Sequence, residues 1–192
     1  MTRALDIAFP LALAALILGA WEWAIHHWQV PHYVLPAPSA IAQALCANFA
    51  SLMASLGSTL WVTLQAFAAA TLLGVATAIG FTQSRLLERT LYPYAVILQV
   101  TPVVAIAPLI LIWVGFDHIN LALVIVATIV AFFPILAGAT LGLKSADFNL
   151  LDLARLHGAS RLQVLWRIRL PTALPYLLSG MKTAGGLALI GA

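Results

Sequence analysis

Residues 119–143 read INLALVIVATIVAFFPILAGATLGL, a run from Ile119 to Leu143 without one Asp, Glu, Lys or Arg. About 20 apolar residues in a helix suffice to cross a bilayer's hydrocarbon core. Four further stretches meet or approach that length. They are Ile7–Ile25, broken only by Glu22, then Leu56–Phe81, Leu91–Val114, and a run from Thr172 still apolar at Ala192. Of the 192 residues 63% are hydrophobic and 8% charged, against about 25% charged in an ordinary soluble domain. So few charges cannot cover a water-facing surface, which excludes a soluble globular domain and a disordered chain. One cysteine, Cys46, excludes a disulfide scaffold, and strict alternation over segments of about ten residues, the mark of a β-barrel, is absent. The expected fold is an all-α integral membrane protein with five visible transmembrane helices.

The charges orient it. Arg3 precedes the first span, Arg85 and Arg89 follow the second, and Lys144, Arg155, Arg161, Arg167 and Arg169 lie between the fourth and fifth. The connections His26–Ser55 and Gly115–His118 hold no Lys or Arg. Eight of the nine basic residues therefore share one side, with Lys182 inside the fifth span. That side is expected to be cytoplasmic, with the N-terminus inside. The positive charge serves topology, and nothing points to nucleic acid. The first span ends in Trp21, Trp23 and Trp28, an interfacial aromatic belt and not a small-residue cleavage site, so a retained helix is expected. Leu35-Pro36-Ala37-Pro38-Ser39 forbids helix, and Ser39 is expected to cap a short helix from Ala40 to about Met53, on the outer surface or against the spans.

A search for catalytic chemistry finds none. Gly138–Ser145 superficially resembles a phosphate-binding loop, but its spacing is wrong and it ends a membrane helix; Gly138 and Gly142 read as a small-residue packing face. His26, His27 and His32 lack the accompanying carboxylates or cysteines of a metal site. Glu22 can reach the interface or a neighbouring histidine, and Asp117 and His118 end a tight external turn. No cofactor and no metal are expected. The intramembrane polar residues, among them Thr59, Thr63, Gln65, Thr71, Thr77, Thr128 and Thr140, admit two readings, interhelical hydrogen bonding or a weakly polar path. Thr101-Pro102, Pro108 and Pro134 interrupt the helical ladder at depth, which is tolerated beside protein or a water-filled cavity. On that ground Gln99, Thr101 and Pro102 are taken as pathway-lining.

Ser145–Pro175 is too short and too charged to span. Asp147 is expected to cap a helix over Phe148–Leu156, Gly158 to stop it, and Ser160 to cap a second helix, Arg161–Arg169, ended by Pro171. Leu150, Leu151, Leu153 and Ala154 give the first an apolar face; Leu162, Leu165, Trp166 and Ile168 do so for the second. Pattern alone allows two readings, a docking surface for a partner protein or a hairpin packed on its own membrane domain.

Asp152-Leu153-Ala154, then Gly158, then Ile168-Arg169-Leu170-Pro171 resembles the EAA loop of ABC-importer permeases: Glu-Ala-Ala, three residues, Gly, nine residues, Ile-x-Leu-Pro. The spacing matches throughout, with Asp152 in place of Glu and Leu153 in place of the first Ala. Leu35-Pro36-x-Pro38-Ser39, Thr101-Pro102, Ala107-Pro108-Leu109 and Trp113-x-Gly115-Phe116 are similar to the nitrate/sulfonate/taurine branch, so the likeness covers essentially the whole chain. The resemblance implies a type I importer permease fold and one permease domain over residues 1–192, with a coupling hairpin at 144–171. Branch members carry a sixth span, so this chain is expected to be truncated from six helices.

The same resemblance implies a non-catalytic subunit of the inner membrane. Its partners would be a pair of ATP-binding subunits, a second permease copy as a homodimer, an extracytoplasmic substrate-binding protein and the lipid bilayer. Asp152, Leu153, Ala154, Arg155, Gly158, Ala159, Ser160 and Arg161 would form the ATPase-coupling set. The solute would be a small sulfonate-, taurine- or nitrate-like compound or a related small organic molecule. The rival class, a self-sufficient secondary transporter or channel, needs an intramembrane ionisable group, and the spans offer only Glu22 and Lys182.

Overall fold

The computed structural model describes residues 2–100 and 103–192, with side chains placed over 6–100 and 105–192. Among these residues the chain is helical, without strands: α1 (Thr2–His27), α2 (Pro38–Ala47), α3 (Phe49–Gln83), α4 (Arg85–Val100) and α5 (Val103–Val114) come first. A 3-10 turn at Phe116–His118 leads to α6 (Ile119–Lys144), followed by α7 (Phe148–Leu156) and α8 (Arg161–Val164). A π-helical stretch, Leu165–Arg169, then joins α8 to α9 (Leu170–Gly191). Two compact units result, Met1–Leu56 and Gly57–Ala192.

In the first unit α2 packs on α1. The Glu22 carboxylate accepts hydrogen bonds from Ser39 N (3.0 Å) and Ser39 Oγ (2.7 Å). Ser39 therefore donates to a distant acid instead of capping its own helix. Pro38 takes the first helical position, where its missing N–H costs nothing, and the helix starts two residues earlier than expected. It also ends early, at Ala47. There the Asn48 side-chain amide donates to the Ala44 carbonyl (2.9 Å) and competes with the backbone ladder. Residues 49–53 belong instead to α3, which runs 35 residues.

The second unit is organised by small residues. A Cβ built on Gly180 of α9 would lie 2.5 Å from the Pro134 carbonyl oxygen of α6, and one on Gly138 would lie 2.8 Å from Tyr176 O. One on Gly142 would come within 2.8 Å of Ala173. Gly138 and Gly142 are thus the packing face expected of them, and they let two helix backbones meet directly. On α3 the buried positions Ala66, Ala70, Gly74 and Ala78 recur every four residues, placing one smooth stripe inward. Gly74 faces Ile135 of α6, while Leu60, Trp61, Leu64, Leu72 and Leu73 remain exposed, as lipid-facing side chains should be.

Among the described residues, three helical segments are long and apolar enough to cross a bilayer: Asp6–His27, Phe49–Gln83 and Phe116–Lys144. The third expected span, Leu91–Val114, is not one straight helix. It divides into α4 and α5, whose axes differ by 107°, so it is a fourth crossing only as a broken span. Alone, the 12 residues of α5 reach about 18 Å, short of the hydrocarbon core. The fifth, α9, has 22 residues but carries Lys182, Ser179 and Thr183 and falls below the apolarity of the other three.

Candidate docking hairpin

Residues 145–169 fold by local rules. The Asp147 carboxylate accepts from Asn149 N at 2.8 Å, capping α7 as expected. The helix closes with Ala159 N donating to Ala154 O and Gly158 N donating to Arg155 O, both at 2.9 Å. These two bonds make a Schellman motif whose left-handed residue is Gly158, at φ +70°. Ser160 Oγ accepts from Gln163 N (3.3 Å), while Gln163 Oε1 accepts from Ser160 N (2.8 Å). That reciprocal capping box is written in the sequence as Ser160-x-x-Gln163, so Gln163 as well as Ser160 marks the start of this helix.

The second arm departs from expectation. Pro171 does not end it. Across Leu165–Arg169 the ladder widens, with Leu170 N donating to Leu165 O, five residues back. This shift sets Pro171 in the first turn of α9, where a missing N–H is harmless. The hairpin's second arm is therefore continuous with α9.

The apolar residues divide between two faces. Leu151 and Leu165 are buried, and Leu165 packs in a cluster with Phe81, Leu136, Leu143 and Ala173. Leu150, Leu153 and Leu162 are exposed, Leu156 is 85% and Trp166 65% exposed. The hairpin is rooted by one face and bare on the other. Ala154, Gly158 and Ala159 line a groove of about 510 Å³ beside the turn, with Gln163, Arg167 and Ile168. Arg155, Ala159 and Arg161 also line a separate cavity, while Asp152, Leu153 and Ser160 line neither. Arg155 Nη1 donates to Asp152 Oδ1 at 2.9 Å, an exposed pair within α7. Burial, and then the charge of Arg155, pull the Arg169 guanidinium below its ordinary pKa.

The pathway assignment receives no such support. Gln99 is exposed near the end of α4, and Thr101 and Pro102 lie outside the described residues. Interhelical bonding by the threonines is also rare. Thr63, Thr71 and Thr77 donate to carbonyls four residues back in their own helix. Thr128 does the same at 2.6 Å and reaches Ala66 O of α3 only at 3.5 Å. A hydroxyl in a helix finds its own backbone before it finds a neighbour.

Residues 70–192 match the protein family described as "Binding-protein-dependent transport system inner membrane component". A probable ABC transporter permease protein of Haemophilus influenzae is 32% identical over 183 residues, covering 95% of this chain and 74% of that protein. The riboflavin transport system permease protein of Chloroflexus aurantiacus is 32% identical over 190 residues, covering 97% and 69%. The taurine transport system permease protein of Escherichia coli is 30% identical over 190 residues, covering 94% and 68%.

Proposed function

The chain belongs to the binding-protein-dependent transport system inner membrane components, and from that premise we propose that its hairpin, residues 144–171, is the handle by which ATP hydrolysis in a separate subunit drives transport. The chain itself is a multi-pass membrane protein and the permease subunit of an ABC importer of the sulfonate/taurine-like branch. A self-sufficient secondary transporter is not favoured, since the relatives are named as ABC or transport-system permeases.

The observation that carries the docking reading is the hairpin's two-sidedness, rooted through Leu151 and Leu165 and bare at Leu153, Leu156, Leu162 and Trp166. Asp152, Leu153, Ala154, Arg155, Gly158, Ala159, Ser160 and Arg161 form the docking set. A pair of ATP-binding subunits engages it, one on each of two permease copies. Force applied there has a short route. The second arm passes through the π stretch into α9 without a joint, and α9 is seated on α6 at Gly138, Gly142 and Gly180. Closure of the ATP-binding pair would therefore move α9 and α6 together, alternating the access of the path between them and their counterparts.

In this reading residues 1–192 act as one permease domain, with the N-terminus and the basic loops in the cytoplasm. An extracytoplasmic binding protein delivers the solute. Its class is a small sulfonate, taurine-like or nitrate-like compound, in keeping with relatives named for taurine and aliphatic sulfonates. Others are named for riboflavin and formylaminopyrimidine, which keeps a small organic compound within range. Gln99, Thr101 and Pro102 are assigned to the path.

Accessibility labelling tests the topology. In a Cys46→Ser background, Ser160→Cys is expected to react with a membrane-impermeant maleimide in inverted vesicles and to resist it in intact cells. An ATP-binding subunit is expected to co-purify with the chain. Labelling from the outer face would overturn the docking role.

A further inference from the structure

Between the end of α3 and the hairpin lies a cavity of about 440 Å³ into which four arginines converge: Arg85 from the start of α4, Arg155 from α7, Arg161 from α8 and Arg169 from the π stretch. No Asp or Glu lines it. Arg155 has a carboxylate partner in Asp152, whereas Arg85, Arg161 and Arg169 have none among the described residues. A neighbouring cavity of about 480 Å³ shares Arg85 and Arg169 and adds Arg89 and Lys144. Its one acid, Glu88, is already bonded to Lys144. Arg85, Arg155 and Arg161 are exposed and Arg169 is partly buried, and like charges gathered around one cavity are unfavourable without a counter-ion. Arg169 carries that cost directly, through burial and the proximity of Arg155.

We propose that this cavity binds the phosphate group of an anionic membrane phospholipid, held by Arg85, Arg155, Arg161 and Arg169. Guanidinium forks match phosphate oxygens in pairs, and several forks from different helices suit a group carrying its charge on more than one oxygen. Position selects the lipid over a soluble anion. Thr82 to Arg85 follow directly on the apolar run of the candidate span Phe49–Gln83, so this wall is expected near the headgroups of a surrounding bilayer. Leu86, next to Arg85, is left bare beside it, where an acyl chain would run. Basic pockets between membrane helices at this level take anionic headgroups by the same attraction. The lipid would bridge the α3–α4 corner to the hairpin and steady the hairpin's root. Arg155 and Arg161 belong both to this cavity and to the proposed docking set, so Arg85 and Arg169, which lie outside that set, are the positions that separate lipid binding from docking.

Native mass spectrometry of the full chain, purified with whatever subunits accompany it, gives the test. Wild-type protein is expected to retain phosphatidylglycerol in preference to phosphatidylcholine. Arg169→Gln is expected to weaken that retention about fivefold, as for one surface arginine facing an anionic lipid. Arg85→Gln, at an exposed position that does not threaten folding, is expected to do the same. Arg167→Gln removes an equal charge two residues away, on the wall of a different groove, and is expected to leave retention unchanged. The proposal fails if all three variants lose lipid equally, which would mean diffuse attraction, or if neither Arg85→Gln nor Arg169→Gln loses any. It also fails if millimolar inorganic phosphate displaces the lipid completely, since a soluble anion would then be the occupant.

Discussion

At Gly158 a Cβ would meet nothing within 4 Å, yet φ is +70°; at Gly180 the backbone is ordinary helix, yet a Cβ would lie 2.5 Å from the Pro134 carbonyl oxygen. The hairpin turn needs glycine for its conformation, and the α6–α9 crossing needs it for its absent volume. The first requirement is local, met by a Schellman motif and a capping box within about ten residues. The second is imposed across more than 40 residues of chain by a neighbouring backbone that cannot move aside. A hairpin built by local rules keeps its shape whatever touches its outer face, as a handle must. A crossing built on contact transmits displacement because its helices cannot separate cheaply.

Substitution should separate the two cases, and the crossing should give the larger response. Gly180→Ala places a methyl against Pro134 O, with backbone on both sides, and is expected to cost about 3 kcal/mol. Thermal denaturation in detergent would show it, with reduced accumulation in the membrane. Gly158→Val meets no atom but forces a β-branched residue into the left-handed region, a cost of about 1–2 kcal/mol. Membrane insertion is expected to survive while co-purification of the ATP-binding subunit and uptake are lost. Gly158→Asn, which tolerates that conformation, should retain both. If the Asn variant failed as badly as the Val variant, conformation would not be the turn's requirement.

The same division explains how much could be read in advance. Asp147, Gly158 and Ser160 were legible because a cap or a stop is decided by residues two to five places away. The lipid-facing apolar runs were legible because length and charge are one-dimensional properties. Pro171 misled because the effect of a proline depends on the ladder in front of it, and a widened turn at Leu165–Arg169 removed the conflict. Ser39 misled because its partner, Glu22, lies 17 residues away. In the third span Thr101-Pro102 announced an interruption, but the size of the bend, 107° between α4 and α5, leaves no mark on hydropathy. The cavity of four arginines was invisible for the same reason: Arg85 and Arg169 are brought together only by the folded helices.

Two smaller substitutions test whether the hairpin is braced by its caps or by its charges. Ser160→Ala removes one half of the capping box and leaves the Gln163 backbone N–H without its acceptor, while Gln163 Oε1 keeps the backbone N–H of residue 160, an expected loss of about 1 kcal/mol by denaturation in detergent. Asp152→Asn removes the pair with Arg155, which joins neighbouring turns of α7 with both side chains mostly in solvent. Water and salt screen such a pair, so the expected cost is about 0.3 kcal/mol and should disappear at high ionic strength. The acid at this position would then be free to exchange Arg155 for a partner, and Asp152→Asn should weaken association with the ATP-binding subunit more than it weakens the fold. A stability loss as large as that of Ser160→Ala, with association unaffected, would make the pair a brace and remove Asp152 from the docking set.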